Sequence, residues 1–313
     1  MKLDFSKSKI LVIGDLMLDI FFYGKSNRIS PEFPVPVIIE ENSKTILGGA
    51  ANVVNNIASL GGKVEVVGVV GEDSAGKEIL NFFNKKNIST NNIFIEKRYK
   101  TIVKKRIFSN DIPIARIDEE DSNYEFDFSD EQFKKIEDEI KLSDVIVLSD
   151  YNKGFLNRSL LKRIINTASN LSKFVVVDPK KNSFSSYKSA DVLTPNLKEI
   201  QDATSIEIKN DKHLVEVCRE LIKEYSFKSI VVTKSERGIS VIGPDNIFDF
   251  DGKEVENPDV SGAGDTVISV FSLCISCGLS INESARISNL SASIVVSKKG
   301  TSTLEIDELK NII

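Results

Sequence analysis

Short, continuous apolar runs alternate with stretches of helical period along most of this chain. Residues 9–15, 63–70, 144–148, 174–177, 191–193 and 229–232 read as strands, and their apolar positions follow one another instead of alternating with polar ones. Between them, residues 50–60, 74–85, 130–141, 158–169 and 211–224, and the apolar run 267–278, carry helical patterns. Continuous apolar strands separated by helices predict an α/β fold with a parallel sheet covered on both faces. Two segments break the rhythm. Residues 34–40 are extended and alternating, and residues 101–118 form two strand-like pieces around a turn at Asn110-Asp111. They predict a small β-flap, with lid segments at about residues 20–45 and 98–120, within one domain spanning 1–313. A flap over a site excludes water and closes on substrate. The acidic stretch 118–129 reads as a surface loop.

In folds of this class, ligands gather at the carboxyl ends of the strands. Asp15, Ser149-Asp150, Asp178-Pro179-Lys180, Thr194-Pro195-Asn196 and Thr233-Lys234 fall there. The most informative stretch comes late: Asp259-Val260-Ser261-Gly262-Ala263-Gly264-Asp265-Thr266, leading into the apolar run. A glycine-rich turn opening a helix presents unpartnered N–H groups and the positive end of the helix dipole, which suits a phosphate. Asp265 beside such a site makes sense as a general base taking a proton from an attacking hydroxyl. Asp is also a favoured helix cap, and the stretch alone leaves both readings open.

Composition narrows the classes. Among 313 residues, 41% are hydrophobic and the net charge is −5, with Lys and Arg dispersed, so no nucleic-acid surface is expected. No run of 18 apolar residues exists, and the N-terminus leads into a strand without a signal-peptide pattern, so the expected location is cytoplasmic, with no membrane partner. Three cysteines make no disulfide framework, and Cys274-x-x-Cys277 lies in the apolar run, where both read as core residues. His213 reads as a surface residue on an amphipathic helix. Gly14-Asp15 lacks the dinucleotide fingerprint, and no Walker pattern is present.

Four motifs, Leu47-Gly48-Gly49-Ala50-Ala51-Asn52, Thr194-Pro195-Asn196-Leu197-Lys198-Glu199, Thr233-Lys234-Ser235-Glu236-Arg237-Gly238 and Ser261-Gly262-Ala263-Gly264-Asp265, resemble in order and spacing the ribokinase-type (PfkB) family of sugar kinases, from about Ile10 to Thr303. The resemblance implies a ribokinase-like three-layer α/β/α fold with a mostly parallel sheet and a β-flap lid. It implies Asp265 as base, with the N–H groups of Gly262, Ala263 and Gly264 holding the phosphoryl group. It places ATP near Asn196, Leu197, Lys198, Glu199, Thr233, Ser235, Gly238, Asn289 and the 298–300 turn, with Asn196 and Glu199 organising Mg²⁺ through water. Sugar contacts would come from Asp15, Gly48, Gly49 and Asn52.

Further segments, including Gly14-Asp15-Leu16-Met17-Leu18-Asp19, Leu148-Ser149-Asp150-Tyr151-Asn152-Lys153-Gly154 and Gly300-Thr301-Ser302-Thr303, are similar to the D-glycero-β-D-manno-heptose-7-phosphate kinases. Val270 departs from the broader family signature, and the Thr-Val-Ile opening at 266–268 is nearer these kinases. Kinases for other sugars, or a non-catalytic nucleotide-binding scaffold, are the rival readings. A distal phosphate needs cations, for which Arg106, Arg116, Lys153 and Lys180 are candidates, and Asp150 with Lys153 could serve sugar or phosphates. Some of these kinases are fused to an adenylyltransferase. This sequence has no His-x-Gly-His, so nucleotidyl transfer is not expected of it. The apolar flap residues Val35, Val37, Ile107 and Ile117, with family precedent, imply a homodimer through the flap.

Overall fold

A computed structural model describes residues 3–121, 124–180, 183–255, 258–298 and 303–311. In chain order the strands are β1 (Lys9–Gly14), β2 (Leu16–Ile29), β3 (Pro36–Gly49), β4 (Lys63–Gly71), β5 (Ile93–Glu96), β6 (Ile102–Ser109), β7 (Ile112–Glu119), β8 (Val145–Ser149), β9 (Phe174–Asp178), β10 (Val192–Leu193), β11 (Ser229–Thr233), β12 (Ile239–Ile242) and β13 (Ile247–Phe250). The helices are α1 (Ala50–Ser59), α2 (Ser74–Lys85), α3 (Asp130–Leu142), α4 (Arg158–Asn170), α5 (Leu197–Thr204), α6 (Asp211–Tyr225), α7 (Ala263–Ser276), α8 (Ile281–Val296) and α9 (Ile306–Lys310).

The large sheet runs β13-β12-β11-β10-β9-β8-β1-β4-β5. It is parallel from β11 to β5, while β12 and β13 add an antiparallel edge. Strand alternation explains the continuous apolar runs. In β1, Ile10 and Val12 pack among residues of α1, α2, α7 and α8, whereas Leu11 and Ile13 pack among residues of α3, α4 and α6. Each face needs every second residue, so a strand covered on both sides needs all of them.

The flap is a second, four-stranded sheet in the order β3-β2-β6-β7. It is longer than the sequence pattern indicated: β2 and β3 have 14 residues each and pair antiparallel down to Leu16↔Gly49, at the root of the large sheet. The Asn110-Asp111 turn is as expected, with both residues at positive φ (51° and 63°), the conformation that joins two strands in a tight hairpin.

Three expectations need correction. Residues 118–129 are not simply a surface loop: Phe126 is buried, and its ring lies 4.4–5.6 Å from those of Phe94, Phe128 and Phe155. Aromatics at every second position pin this acidic stretch down. Cys274 is buried, but Cys277 is exposed at the end of α7. α7 itself starts at Ala263, ahead of the apolar run, because Gly262 takes the left-handed conformation (φ 78°) and caps it.

Candidate active site

A cavity of about 440 Å³ opens where the carboxyl ends of β9 and β11 meet the first turn of α7. Asp265 lies on its wall, only 6% exposed. Its Oδ2 accepts a hydrogen bond from Asn52 Nδ2 at 2.7 Å, and its Oδ1 accepts one from the Tyr151 hydroxyl at 2.7 Å. Burial pushes the Asp265 carboxyl up to about 6; the Asn52 and Tyr151 hydrogen bonds and the Lys180 charge pull against that, and the Asp178 charge adds to it. A carboxylate with a pKa near neutrality is a serviceable base. Asn52 reaches Asp265 because α1 packs against α7, and Asn56 one turn on donates to its carbonyl at 2.9 Å.

The turn before Asp265 fits an anion. Gly262, Ala263 and Gly264 all line the cavity. Among the described residues nothing accepts the N–H of Gly264, and a Cβ there would meet open space. So Gly264 is not required by the chain's own packing. The Ala263 N–H is already engaged, donating to Val260 O at 3.2 Å, which corrects the expectation that all three amides stand ready.

Of the residues expected near the nucleotide, Asn196, Thr233, Ser235, Gly238 and Asn289 all reach the cavity. Gly238 is at φ 84°, and a Cβ would come within 2.0 Å of Phe250 O. The Asn289 amide donates to Asp251 O at 2.8 Å and so ties α8 to the strand exit after β13. Asn196 and Glu199 form a capping box at the start of α5, each side chain accepting the other's backbone N–H at 2.8–2.9 Å. Glu199 also pairs with Lys180 at 2.5 Å, and Lys180 with Asp178 at 3.3 Å. Burial raises the Glu199 pKa, and it disfavours the Lys180 ammonium too, but the charges of Asp178 and Glu199 outweigh that and raise the lysine. Leu197 packs against the core and Lys198 is exposed, so neither reaches the cavity. Residues 299 and 300 of the expected adenine turn, and the start of the Gly300-Thr301-Ser302-Thr303 motif, lie outside the described residues.

The expected sugar residues divide into two groups. Asn52 bonds the Asp265 carboxylate. Gly48 and Gly49 let the flap root close down: Gly49 is at φ 56°, and a Cβ on Gly48 would stand 2.5 Å from Asp19 Oδ2. Asp15 and Asp150 are fully buried and line none of the cavity. Asp15 Oδ2 accepts the N–H groups of Tyr151 (2.8 Å) and Lys153 (3.3 Å). Asp150 accepts from Asn152 N at 2.7 Å and Tyr187 OH at 2.9 Å. In this structure both serve to fix the loop carrying Tyr151.

Of the expected phosphate cations, Arg116 is a solvated charge on the edge strand, 59% exposed and paired with Asp118 at 2.9 Å. Lys153 is paired with Glu120 at 2.6 Å. Arg106 is held by Asp19 at 2.5 Å and lies over the Phe21 ring. The cation that sequence reasoning missed is Lys104. It has no ion pair among the described residues, and its Nζ stands 5.2 Å from the Tyr151 ring centroid. Burial pushes its pKa down. Its two-residue offset from Arg106 puts both on one face of β6, and that was a usable signal. Tyr151 and Asp178, also on the cavity wall, were visible only as part of the segment 148–154 and as a residue at a strand end, respectively, with no role assigned to either.

Known proteins resemble this chain in sequence and in fold. The chain is 40% identical to the bifunctional protein HldE of Aliarcobacter butzleri over 307 residues, which is 97% of this chain and 64% of that protein. It is 41% identical to HldE of Sulfurimonas denitrificans over 305 residues, covering 96% and 63%. The chain thus spans a little under two thirds of the length of these relatives. Its fold matches Arabidopsis thaliana ribokinase solved with ribose and ATP (TM-score 0.81, 17% identity, 97% and 98% of the two chains). It also matches Escherichia coli phosphofructokinase-2 solved with potassium (TM-score 0.78, 17% identity, 97% of each). The pfkB family carbohydrate kinase pattern covers residues 7–308, and the chain belongs to that family of carbohydrate kinases.

Proposed function

We propose that this kinase transfers the γ-phosphoryl group of ATP to the anomeric hydroxyl of D-glycero-β-D-manno-heptose 7-phosphate, giving the 1,7-bisphosphate for ADP-heptose and lipopolysaccharide core synthesis. Use of ATP puts the reaction in the cytosol. The observation that carries the chemistry is the buried Asp265 carboxylate at the head of α7, beside an open glycine turn. Asp265 accepts the proton of the sugar hydroxyl as that oxygen attacks phosphorus. The Gly264 N–H and the positive end of α7 stabilise the charge on the moving phosphoryl group. Thr233, Ser235 and Gly238 border the nucleotide phosphates, and Asn289 the base.

The donor is used with Mg²⁺, which neutralises phosphate charge when bound. Glu199 and Asn196 offer hard oxygen donors near the cavity, but both are engaged in the capping box, so they would hold the ion through water, as Mg²⁺ with few protein ligands allows.

Two observations support the narrower substrate. The chain shares about 40% identity with proteins named HldE. The flap also presents a half-buried cation, Lys104, with no ion pair among the described residues, and Arg106 on the same face; such a pair suits an anionic sugar. The flap's exposed apolar residues support a homodimer formed through it. A panel of sugars in a coupled ADP-release assay tests the assignment. The heptose 7-phosphate should give the highest kcat/KM; faster turnover of free ribose, fructose or a hexose phosphate would replace it with another sugar.

A further inference from the structure

Phosphoryl transfer as set out above gives no task to Tyr151, one of two side chains that hydrogen-bond the proposed base. Tyr151 follows β8, and its hydroxyl is 2.7 Å from Asp265 Oδ1. Its placement is fixed from several directions. The backbone N–H donates to the buried Asp15 carboxylate at 2.8 Å. Lys104 Nζ, from the flap, and Lys180 Nζ, from the end of β9, stand 5.2 and 5.6 Å from its ring centroid.

We propose that Tyr151 is a positioning residue for the base: its hydroxyl and the Asn52 amide hold the Asp265 carboxylate between two donors, one on each oxygen. An ionised carboxylate has about four acceptor sites, so two remain for the sugar hydroxyl. The carboxylate plane is thereby set before substrate arrives, and less of the barrier goes to orienting it. This rests on the reading of Asp265 as the base.

The electrostatics are consistent with a permanent donor. Burial, then the Asp265 charge, raises the Tyr151 pKa well above the usual phenol value, so the hydroxyl keeps its proton through the working range and can donate to the carboxylate. The groups facing this pair are Asn52 from α1, Asp178 and Lys180 from β9 and its loop, and Asp19 and Lys104 from the flap. Among the described residues only Tyr151 and Asn52 donate hydrogen bonds to the Asp265 carboxylate, and both favour its ionised form.

Tyr151→Phe keeps the ring and removes the donor. The acid limb of the kcat–pH profile should move up by about one pH unit, the scale of one hydrogen bond to a charged group. At pH 7 kcat should fall about tenfold, with KM for ATP unchanged, as expected for a misoriented base. A thermal melt matching the parent would show that packing is intact. Independently of turnover, ¹³C-carboxyl titration of Asp265 should show the same upward shift in Tyr151→Phe. An unmoved acid limb and an unmoved carboxyl titration would overturn the proposal. Asp265→Asn, run in parallel, separates the two ideas. If it retains turnover, the base assignment itself is wrong; if it is silent while Tyr151→Phe keeps the parental profile, only the role of Tyr151 is lost.

Discussion

The nine-stranded sheet and the four-stranded flap are built on opposite principles. In β1, every residue from Ile10 to Ile13 is at most 1% exposed, because helices cover both faces. In β7, every residue from Ile112 to Asp118 is exposed. Each fully buried aliphatic side chain contributes about 1.5–3 kcal/mol, so the large sheet is held rigidly and the outer flap is not. The chemistry is divided along the same line. Asp265, Asn52 and the glycine turn belong to the layer packed on both sides, where sub-ångström placement can be kept. The cations Lys104 and Arg106 belong to the sheet packed on one side, which can move to admit a sugar. On the proposed reading, the difference teaches that proton transfer and phosphoryl binding sit on the fixed half and recognition on the adjustable one.

The largest expected effect breaks the fixed half. Asp265→Asn should lower kcat by roughly two to four orders of magnitude, the range for losing a general base. ATP affinity measured by calorimetry should stay at the parental value; a loss of ATP binding instead would mean that the carboxylate serves the turn and not the hydroxyl. In the parent, the base must be ionised to work and its pKa is raised to about 6. Activity should therefore be present above that value and fall as pH drops through it. A profile flat from pH 5 to 8 would contradict this.

On the adjustable half, Lys104→Met should raise KM for the phosphorylated sugar about 10- to 100-fold, the worth of one charge-assisted contact. KM for ATP should not move. An equal loss with an unphosphorylated sugar would show that Lys104 does not read the phosphate. A smaller effect is expected at Gly264→Ala, where a methyl group meets no protein atom. The melting temperature should be unchanged, while kcat/KM for ATP falls about tenfold because the amide is shielded from phosphate.

How much of this was legible beforehand follows the same division. The central strands and six helices were readable, because double-sided burial leaves long apolar runs and helical periods. The termini of α2 were recovered at both ends, helped by Asp73, whose side chain caps the Gly76 N–H at 2.8 Å. The short hairpin β12–β13 was not readable, since four-residue strands carry too little pattern. The helix carrying Asn289, α8, was expected only alongside the family resemblance, because its many Ser residues blur the apolar stripe. Asp265 was legible through its glycine turn. Tyr151 and Lys104 were not singled out, because their importance lies in contacts across more than a hundred and about fifty residues of sequence, respectively. In sequence Arg106 was preferred to Arg116 because its strand should reach over the pocket, and strand order shows Arg116 on the edge and Arg106 inside the flap.

The smallest effect on turnover is expected at the flap's outer surface, where the comparison can be sharpened. Phe33 is 68% exposed, Ile29 and Ile112 are each 62%, and Val35 is 52%. Nothing comparable is left uncovered on the central strands of the large sheet, so this apolar area has a purpose other than the core. If two flaps pack together, the protein should sediment as a dimer at micromolar concentration. Phe33→Ser combined with Ile112→Lys should then give monomers, since a buried unpaired charge at an interface costs several kcal/mol. Because the base and glycine turn stay on the fixed half, kcat should remain within about twofold, and any loss should be confined to KM for the sugar. A parent that sediments only as monomer would leave the flap a one-sided lid; a monomeric variant with kcat lost would show that the recognition half also helps to build the catalytic one.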